Sequence, residues 1–234
     1  MAAPSPPEDV AAGAVAVPPT DRGPAPSVPA RPARSPAKRA LDLVIVVVAM
    51  PAVLVLGLLV ALLVGLTSRG PVLFSQERVG LGGRRFRMVK FRTMHRAAES
   101  DLQRDAELWE EYVRNGYKVP AELDRRITRV GRFLRRSSLD ELPQVLNVLQ
   151  GTMSMVGPRP IVPSELENYG EQRAVYLSVR PGITGAWQVS GRSHVGYPQR
   201  VDHDREYVET WSLWRDVAIL ARTPVAVLSA RGAF

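Results

Sequence analysis

Apolar and polar positions alternate on very different scales along this chain. The longest apolar stretch is LDLVIVVVAMPAVLVLGLLVALLVGL, Leu41 to Leu66, in which Asp42 is the one charged residue. The 24 uncharged residues from Leu43 onward exceed the roughly 20 that cross a bilayer as a straight helix, so length alone favours a single span. Two features favour a bend instead. Pro51 removes a backbone donor and crowds the preceding turn, which predicts a kink at that point. Basic residues also flank both ends, with Lys38 and Arg39 before and Arg69, Arg78, Arg84, Arg85 and Arg87 after. Positive residues beside membrane segments prefer the cytoplasmic side, and a straight span would put one cluster on the wrong face. A re-entrant helix hairpin over residues 38–69, bent at Pro51 and leaving on the side it entered, accommodates both clusters. Its freed backbone groups would need partners in protein or near the interface.

After this segment the periods shorten. Phe86 to Phe91 alternate as a half-buried strand does, and Gly80 to Gly83 predict a turn before it, giving a small β-hairpin. Residues 97–114 read as polar and helical, a solvated excursion. Between Arg125 and Arg136, the arginines 125, 129, 132 and 136 share one helical face, with Ile127, Val130 and Leu134 opposite. Such a stripe is either a solvated charged face or a helix lying on anionic headgroups. A nucleic-acid surface is disfavoured, because no aromatic residues interleave with the arginines for base stacking. A further helix is predicted from Ser138, with Leu142, Val145, Leu146 and Leu149 as its apolar face and Pro143 tolerated near its start. Near the end, DVAILARTPVAVL, residues 216–228, is apolar but interrupted by Arg222 and Pro224. It is too short to span, and is expected to lie at the interface or against the core.

Composition changes this picture at one end only. Residues 1–37 hold ten of the chain's 20 prolines and too little apolar surface to offset ordering entropy, so they read as a disordered tail. The tail lacks a basic start and apolar core, so it is no secretory signal. The formal charge of +8 and pI near 10.4 point to an anionic partner or surface. The absence of cysteine excludes disulfides and thiolate metal sites, and fits a cytoplasmic body. His95, His194 and His203 have no metal-ligand spacing.

Candidate chemistry gathers behind the arginine run, in RRSSLDELPQ. Asp140 and Glu141 are adjacent acids at a helix start, and Ser138 with Glu141 fits a capping box. The same two acids fit a nucleophile and a metal ligand, and the residues here leave both readings open. Downstream, GPRP holds Arg159 between two prolines, which suits aiming a guanidinium at phosphate. RPGITGAWQVSGRS, Arg180 to Ser193, reads as a loop-rich run able to bring backbone donors and cations to an anion.

The ordered set KFRTM, SLDELPQ, GPRP, RPGITG, GRS and RVDHDREYVETWSLWRD resembles the bacterial sugar transferase family, the monotopic polyprenyl-phosphate phosphoglycosyl transferases. The resemblance covers residues 38–234. It implies an α+β, mostly helical fold: a membrane re-entrant helix hairpin over 38–69, then a compact cytosolic-face catalytic domain over 70–234 with amphipathic interfacial helices. It implies that Asp140 is the nucleophile and Glu141 a ligand of Mg2+. Lys90, Arg92, Arg135 and Arg159 become candidates for phosphate contact, and Gln188, Arg192 and Asp204 for the nucleotide-sugar. The expected reaction moves a hexose-1-phosphate from a UDP-hexose to undecaprenyl phosphate, through a covalent phosphosugar-aspartate and with release of UMP. This would begin exopolysaccharide or O-antigen repeat units. WSLW, Trp211 to Trp214, resembles members that use glucose or galactose, with a UDP-N-acetylhexosamine as the alternative donor. A non-catalytic membrane scaffold is the alternative of a different class. The implied location is the cytoplasmic face of the bacterial cytoplasmic membrane, with no nucleic-acid partner and a homodimer left open. Larger relatives carry more transmembrane helices ahead of this domain, and the chain resembles the compact form.

Overall fold

The computed structural model describes residues 31–114, 119, 124–191 and 196–228; the bulk of the proline-rich tail and Arg192 lie outside them. A short helical turn, α1 (Arg31–Arg34), leads into α2 (Pro36–Thr67). The start of α2 is set by Ser35, whose hydroxyl accepts from the Lys38 amide, and by Pro36 in the first turn, where no donor is needed. The boundary expected between residues 37 and 38 therefore falls inside this helix. Helical backbone continues through Pro51 over 32 residues.

One stripe of α2 is buried and the rest is bare. Lys38, Asp42, Val46, Val60 and Val64 are buried, with Met50, Val53 and Ala61 partly so. Their spacing of three and four keeps them on one face. The other faces expose Val44, Val48, Leu54, Leu58, Leu62 and Leu66, apolar surface of a kind soluble proteins seldom leave contiguous.

Beyond α2, β1 (Leu73–Val79) and β2 (Arg85–Phe91) form the expected antiparallel hairpin, in register from Leu73 opposite Phe91 to Val79 opposite Arg85. Its turn uses Gly82 and Gly83 at φ 65° and 78°, a region glycine enters without steric cost. The polar excursion is helical as expected, as α3 (Ala98–Arg104) and α4 (Ala106–Arg114). The arginine helix is shorter than its periodicity suggested. It is α5 (Arg129–Ser137), capped by the Thr128 hydroxyl on the Gly131 amide, so Arg125 lies outside it. Arg129, Arg132 and Arg136 are exposed and Leu134 is fully buried, as the stripe requires.

The helix expected from Ser138 is instead a 3₁₀ turn, Leu139–Gln144, followed by α6 (Val145–Gln150). Within α6, Val145 and Val148 face the core, whereas Leu146 and Leu149 are exposed. The expected apolar face is corrected accordingly: the 3₁₀ turn advances faster per residue and rotates the following helix out of phase.

The run GITGAWQVS is also not a loop. β4 (Gly182–Thr184) pairs in parallel with β3 (Ser154–Val156), and α8 (Ala186–Ser190) follows directly. Its glycines serve backbone packing: a Cβ on Gly182 would lie 2.1 Å from the Gly157 nitrogen. A 3₁₀ segment, Pro163–Gln172, and α7 (Arg173–Leu177) connect β3 to β4; α9 (Tyr197–Glu209) and α10 (Leu213–Leu228) complete the fold.

Two polar clamps fix α2 to the rest. At its start, Lys38 Nζ donates to Asp216 at 2.7 Å and to the Val156 carbonyl at 2.9 Å, and Asp42 accepts from the Ser154 hydroxyl and Met155 amide. Arg39 donates to the carbonyls of Val148 and Leu149 at the end of α6, where a cation suits the helix dipole. At its far end, Arg92 donates to the Ser68 carbonyl at 2.7 Å, to the Ser68 hydroxyl and to the Pro71 carbonyl. Lys38 and Arg39, counted from sequence as a membrane-flanking cluster, are thus engaged with protein.

Candidate active site

The acidic pair sits where β2, α5 and the 3₁₀ turn meet. Asn147 of α6 holds β2 in place: its amide nitrogen donates to the Arg87 carbonyl at 2.8 Å and its amide oxygen accepts from the Val89 amide. This sets Lys90, the next residue on that strand, against the turn. The end of β2 is tied to α5 through Gly131, where a Cβ would fall 1.9 Å from the Thr93 carbonyl oxygen. Only glycine permits that approach. Arg135, on the last turn of α5, then donates from Nε to the Thr93 hydroxyl at 3.0 Å.

Ser138 ends α5 at φ 56°, the one non-glycine residue with positive φ among those described. Such a conformation costs on the order of 1–3 kcal/mol and tends to mark sites where the chain is aimed. Here it reverses the chain so that Asp140 and Glu141 lead the next turn. The capping box is not formed, because no side-chain cap bond from Ser138 is made in this geometry. Glu141 is left for other work, and the Arg159 guanidinium lies 3.7 Å from it.

The two acids have different surroundings. Asp140 is buried, at 7% exposure. Burial and the neighbouring Glu141 charge push its carboxyl up to about 6, against the pull of Lys90, Arg135 and Arg159. Lys90 is pushed down to about 8, chiefly by burial and then by Arg135, with Asp140 opposing. Burial also lowers the Arg135 value, with Asp140 again opposing. The Lys90 ammonium lies 5.6 Å from the Phe74 ring centre, across the hairpin. The result is a buried carboxylate enclosed by three cations, beside a more exposed carboxylate.

Among the sequence candidates, then, Lys90, Arg135, Arg159, Asp140 and Glu141 converge. Arg92 does not join them, because its guanidinium is used on Ser68 and Pro71 at the end of α2. Gln188 donates to the Ile183 carbonyl at 3.0 Å, and its own amide oxygen is buried without a hydrogen-bond partner. Asp204 is buried and accepts from the Tyr169 hydroxyl at 2.8 Å; burial raises its carboxyl to about 7, with Tyr169 and Arg200 opposing. It stands behind Tyr169, which lines a cavity of about 220 Å³ that also includes Arg159.

That cavity contains residues sequence reasoning passed over. Arg78 and Arg200 line it with Trp187 and Tyr197. Arg78 was counted only as a membrane-flanking charge, and Arg200, although it opens the RVDHDREYVETWSLWRD motif, was given no role of its own. Asn147, the strand holder, had no sequence signal beyond its polarity at a core-facing position.

Among the described residues no cluster of three or more acids or histidines could hold a metal by itself. Glu141, the more exposed of the two acids, nonetheless has the chemistry of a Mg2+ ligand, since that ion commonly takes as few as one or two carboxylates and completes its shell with substrate phosphates and water.

Known proteins similar to this chain point to one family. The family described as Bacterial sugar transferase matches residues 33–230, nearly all of the described chain. The exopolysaccharide production protein ExoY of Rhizobium meliloti (strain 1021) is 41% identical over 212 residues, covering 87% of this chain and 91% of that protein. A UDP-galactose-lipid carrier transferase of Erwinia amylovora is 42% identical over 209 residues, covering 84% of this chain, which spans 41% of that longer protein. A UDP-glucose:undecaprenyl-phosphate glucose-1-phosphate transferase of Caulobacter vibrioides is 40% identical over 205 residues, covering 84% of this chain and 72% of that protein. With the family match running from residue 33 to 230 and relatives 40–42% identical over more than four fifths of the chain, this chain belongs to the bacterial sugar transferase family.

Proposed function

We propose that the chain transfers a hexose-1-phosphate from a UDP-hexose to undecaprenyl phosphate, with Asp140 as the nucleophile. The observation that carries this reading is a buried carboxylate held among Lys90, Arg135 and Arg159. A carboxylate can form an acyl phosphate with a diphosphate-linked sugar, and the three cations suit the charge that accumulates on phosphate oxygens as it does so. The Asp140 oxygen attacks the sugar-bearing phosphorus, the bond from that phosphorus to the bridging oxygen breaks, and UMP leaves with the electron pair. The lipid phosphate then attacks the same phosphorus and returns Asp140 as a carboxylate. Glu141 is a ligand for Mg2+, which when bound would neutralise charge on the substrate phosphates. Relatives named for galactose and for glucose both match, and we take one of these two hexoses as the donor sugar.

The membrane arrangement belongs to the same proposal. Both ends of α2 are clamped to one body, by Lys38 and Asp42 at the start and by Arg92 on Ser68 at the end. The cluster containing Met88 takes in Val46, Met50 and Val53, and Phe91, three residues along the same strand, meets Gly57 and packs with Val60 and Val64. Pro51 lies within this contact stretch, and its missing backbone donor is the point at which the proposed bend would fall. A perpendicular span would have to separate its ends by a hydrocarbon core of about 30 Å. We therefore favour a helix that enters and leaves on the cytoplasmic face.

The test is UMP release from purified protein in detergent with Mg2+, undecaprenyl phosphate and, in turn, UDP-glucose, UDP-galactose and two UDP-N-acetylhexosamines. Lipid-dependent release with a hexose donor is expected. Release only with an acetamido donor would correct the sugar, and silence from folded protein with every donor would support a scaffold.

A further inference from the structure

Beside the acidic pair lies the cavity that Arg159 shares with it. Arg159 lines the cavity and also reaches to within 3.7 Å of Glu141. Arg78 and Arg200 line the same space, so among the described residues three guanidiniums line it against the one carboxylate of Glu165, 3.6 Å from Arg78. That carboxylate also accepts from the Val162 amide at 3.0 Å. Arg78 donates to the Pro160 carbonyl at 3.1 Å and to the Gln76 side chain at 2.6 Å, so it is fixed in the wall as a positive charge, with its Nε buried and without a hydrogen-bond partner. Arg200 is held by aromatic faces, 4.5 Å from the Trp187 ring centre and 5.4 Å from that of Tyr197, so its fork is positioned in advance.

The cavity also lies on a particular side of the molecule. Its walls rest on the cluster of Val79, Ile161, Tyr169, Tyr176 and Val201, which contains no residue of α2. The apolar helix packs on other clusters, with Val148 and Met153 or with Phe91 and Leu134. A polar, cationic cavity away from the apolar helix suits a water-soluble polyanion better than a polyprenyl chain.

Resting on the transferase reading above, we propose that this cavity seats the nucleoside 5′-phosphate half of the donor, with Arg200 as its phosphate-binding residue and Arg78 as a fixed positive charge in its wall. Arg159 then spans the junction, on the bridging side of the donor diphosphate, while the sugar-bearing phosphorus rests at Asp140. When the phosphorus–oxygen bond breaks, the charge appears on the phosphate that the guanidiniums already hold.

The test is equilibrium binding of radiolabelled UMP to the full chain in nanodiscs, in an Asp140→Asn background so that no turnover intervenes. Ser164 is an exposed residue of the cavity lining, and Ser164→Trp would plug the cavity without altering a buried contact. Ser164→Trp and Arg200→Gln should each weaken UMP binding by about tenfold or more, the scale of a lost charge-assisted phosphate contact. Arg132→Gln, on the exposed face of α5, should leave it unchanged. With Asp140 restored, Ser164→Trp should raise the KM for the UDP-sugar and not that for undecaprenyl phosphate. UMP affinity within twofold of the parent in both cavity variants would overturn the proposal, as would a rise in the lipid KM alone, which would assign the cavity to the lipid phosphate. UMP bound at this cavity by a protein that turns over no donor would sink the transferase reading and leave the nucleotide seat standing.

Discussion

Asp140 and Glu141 are neighbours in sequence, and the fold gives them different surroundings, burying one and leaving the other at the edge beside Arg159. The Asp140 carboxyl is raised to about 6 by burial, so the fold opposes its ionisation and loses stability as pH rises through that value. Its nucleophilic form is nevertheless the carboxylate, so rate should climb as pH rises through about 6. Lys90, lowered to about 8, carries its charge below that value and loses it above. The profile of kcat/KM should therefore be a bell with limbs near these two values. Lys90→Arg keeps a cation at all working pH and should remove the alkaline limb; a limb that stays in place belongs to another group. At this scale the sequence was informative about residue type and silent about partners. Arg92 and Arg159 stand in motifs of equal apparent weight, yet Arg92 is taken by Ser68, 24 residues away in the chain, a pairing no spacing rule contains. The capping box failed for a similar reason, since the left-handed turn at Ser138 follows from how α5 stops and not from the four residues that matched.

Elements were most legible where one period ran undisturbed. The hairpin, the polar helices and the arginine stripe all follow their alternation, and the apolar length of α2 needed no structure to see. Phase was lost wherever a 3₁₀ turn intervened, which is why Leu146 and Leu149 face outward. The basic start of α2 was misjudged because Lys38 looks like a headgroup anchor until Asp216 is placed beside it. Asp216 is 1% exposed and accepts from Lys38, from the Tyr207 hydroxyl at 2.7 Å and from Trp211 Nε1 at 3.1 Å. Lys38→Met should strand that carboxylate and cost about 3–5 kcal/mol of stability, the scale for breaking a buried pair. Adding Asp216→Leu should recover most of the loss in thermal unfolding; no recovery would mean that the lysine stem, and not its charge, is what α2 needs. The bend itself can be read by labelling. The chain has no cysteine, and Ala37 and Arg69 are exposed at the two ends of α2. Cysteines at both positions should react from the cytoplasmic side of intact membranes, whereas reaction from opposite sides would establish a crossing helix.

On the scale of the whole molecule, apolar and cationic surfaces are segregated. The bare faces of α2 form the largest apolar area, and the exposed apolar residues include Phe133 beside the arginine stripe, Leu146 and Leu149 of α6, and Trp214 at 82% exposure with Val225 on α10. A tryptophan placed this way suits a membrane interface. The arginine-lined cavity rests on a separate cluster, and the acidic pair contacts both regions through the 3₁₀ turn and Arg159. A lipid phosphate and a soluble nucleotide-sugar can thus reach one carboxylate without either leaving its own solvent. On the proposed reading UMP occupies the seat of the donor's nucleoside phosphate, so added UMP should compete with the UDP-sugar in initial-rate measurements. The central claim is that Asp140 becomes covalently attached to the sugar phosphate, and intact-mass and peptide mapping after exposure to UDP-hexose without lipid tests it most directly. The account predicts wild-type protein heavier by one hexose phosphate, with the added mass on the peptide carrying Asp140, discharged by undecaprenyl phosphate and absent from Asp140→Asn. Full lipid-dependent UMP release by Asp140→Asn, or an adduct mapped to another residue, would contradict it.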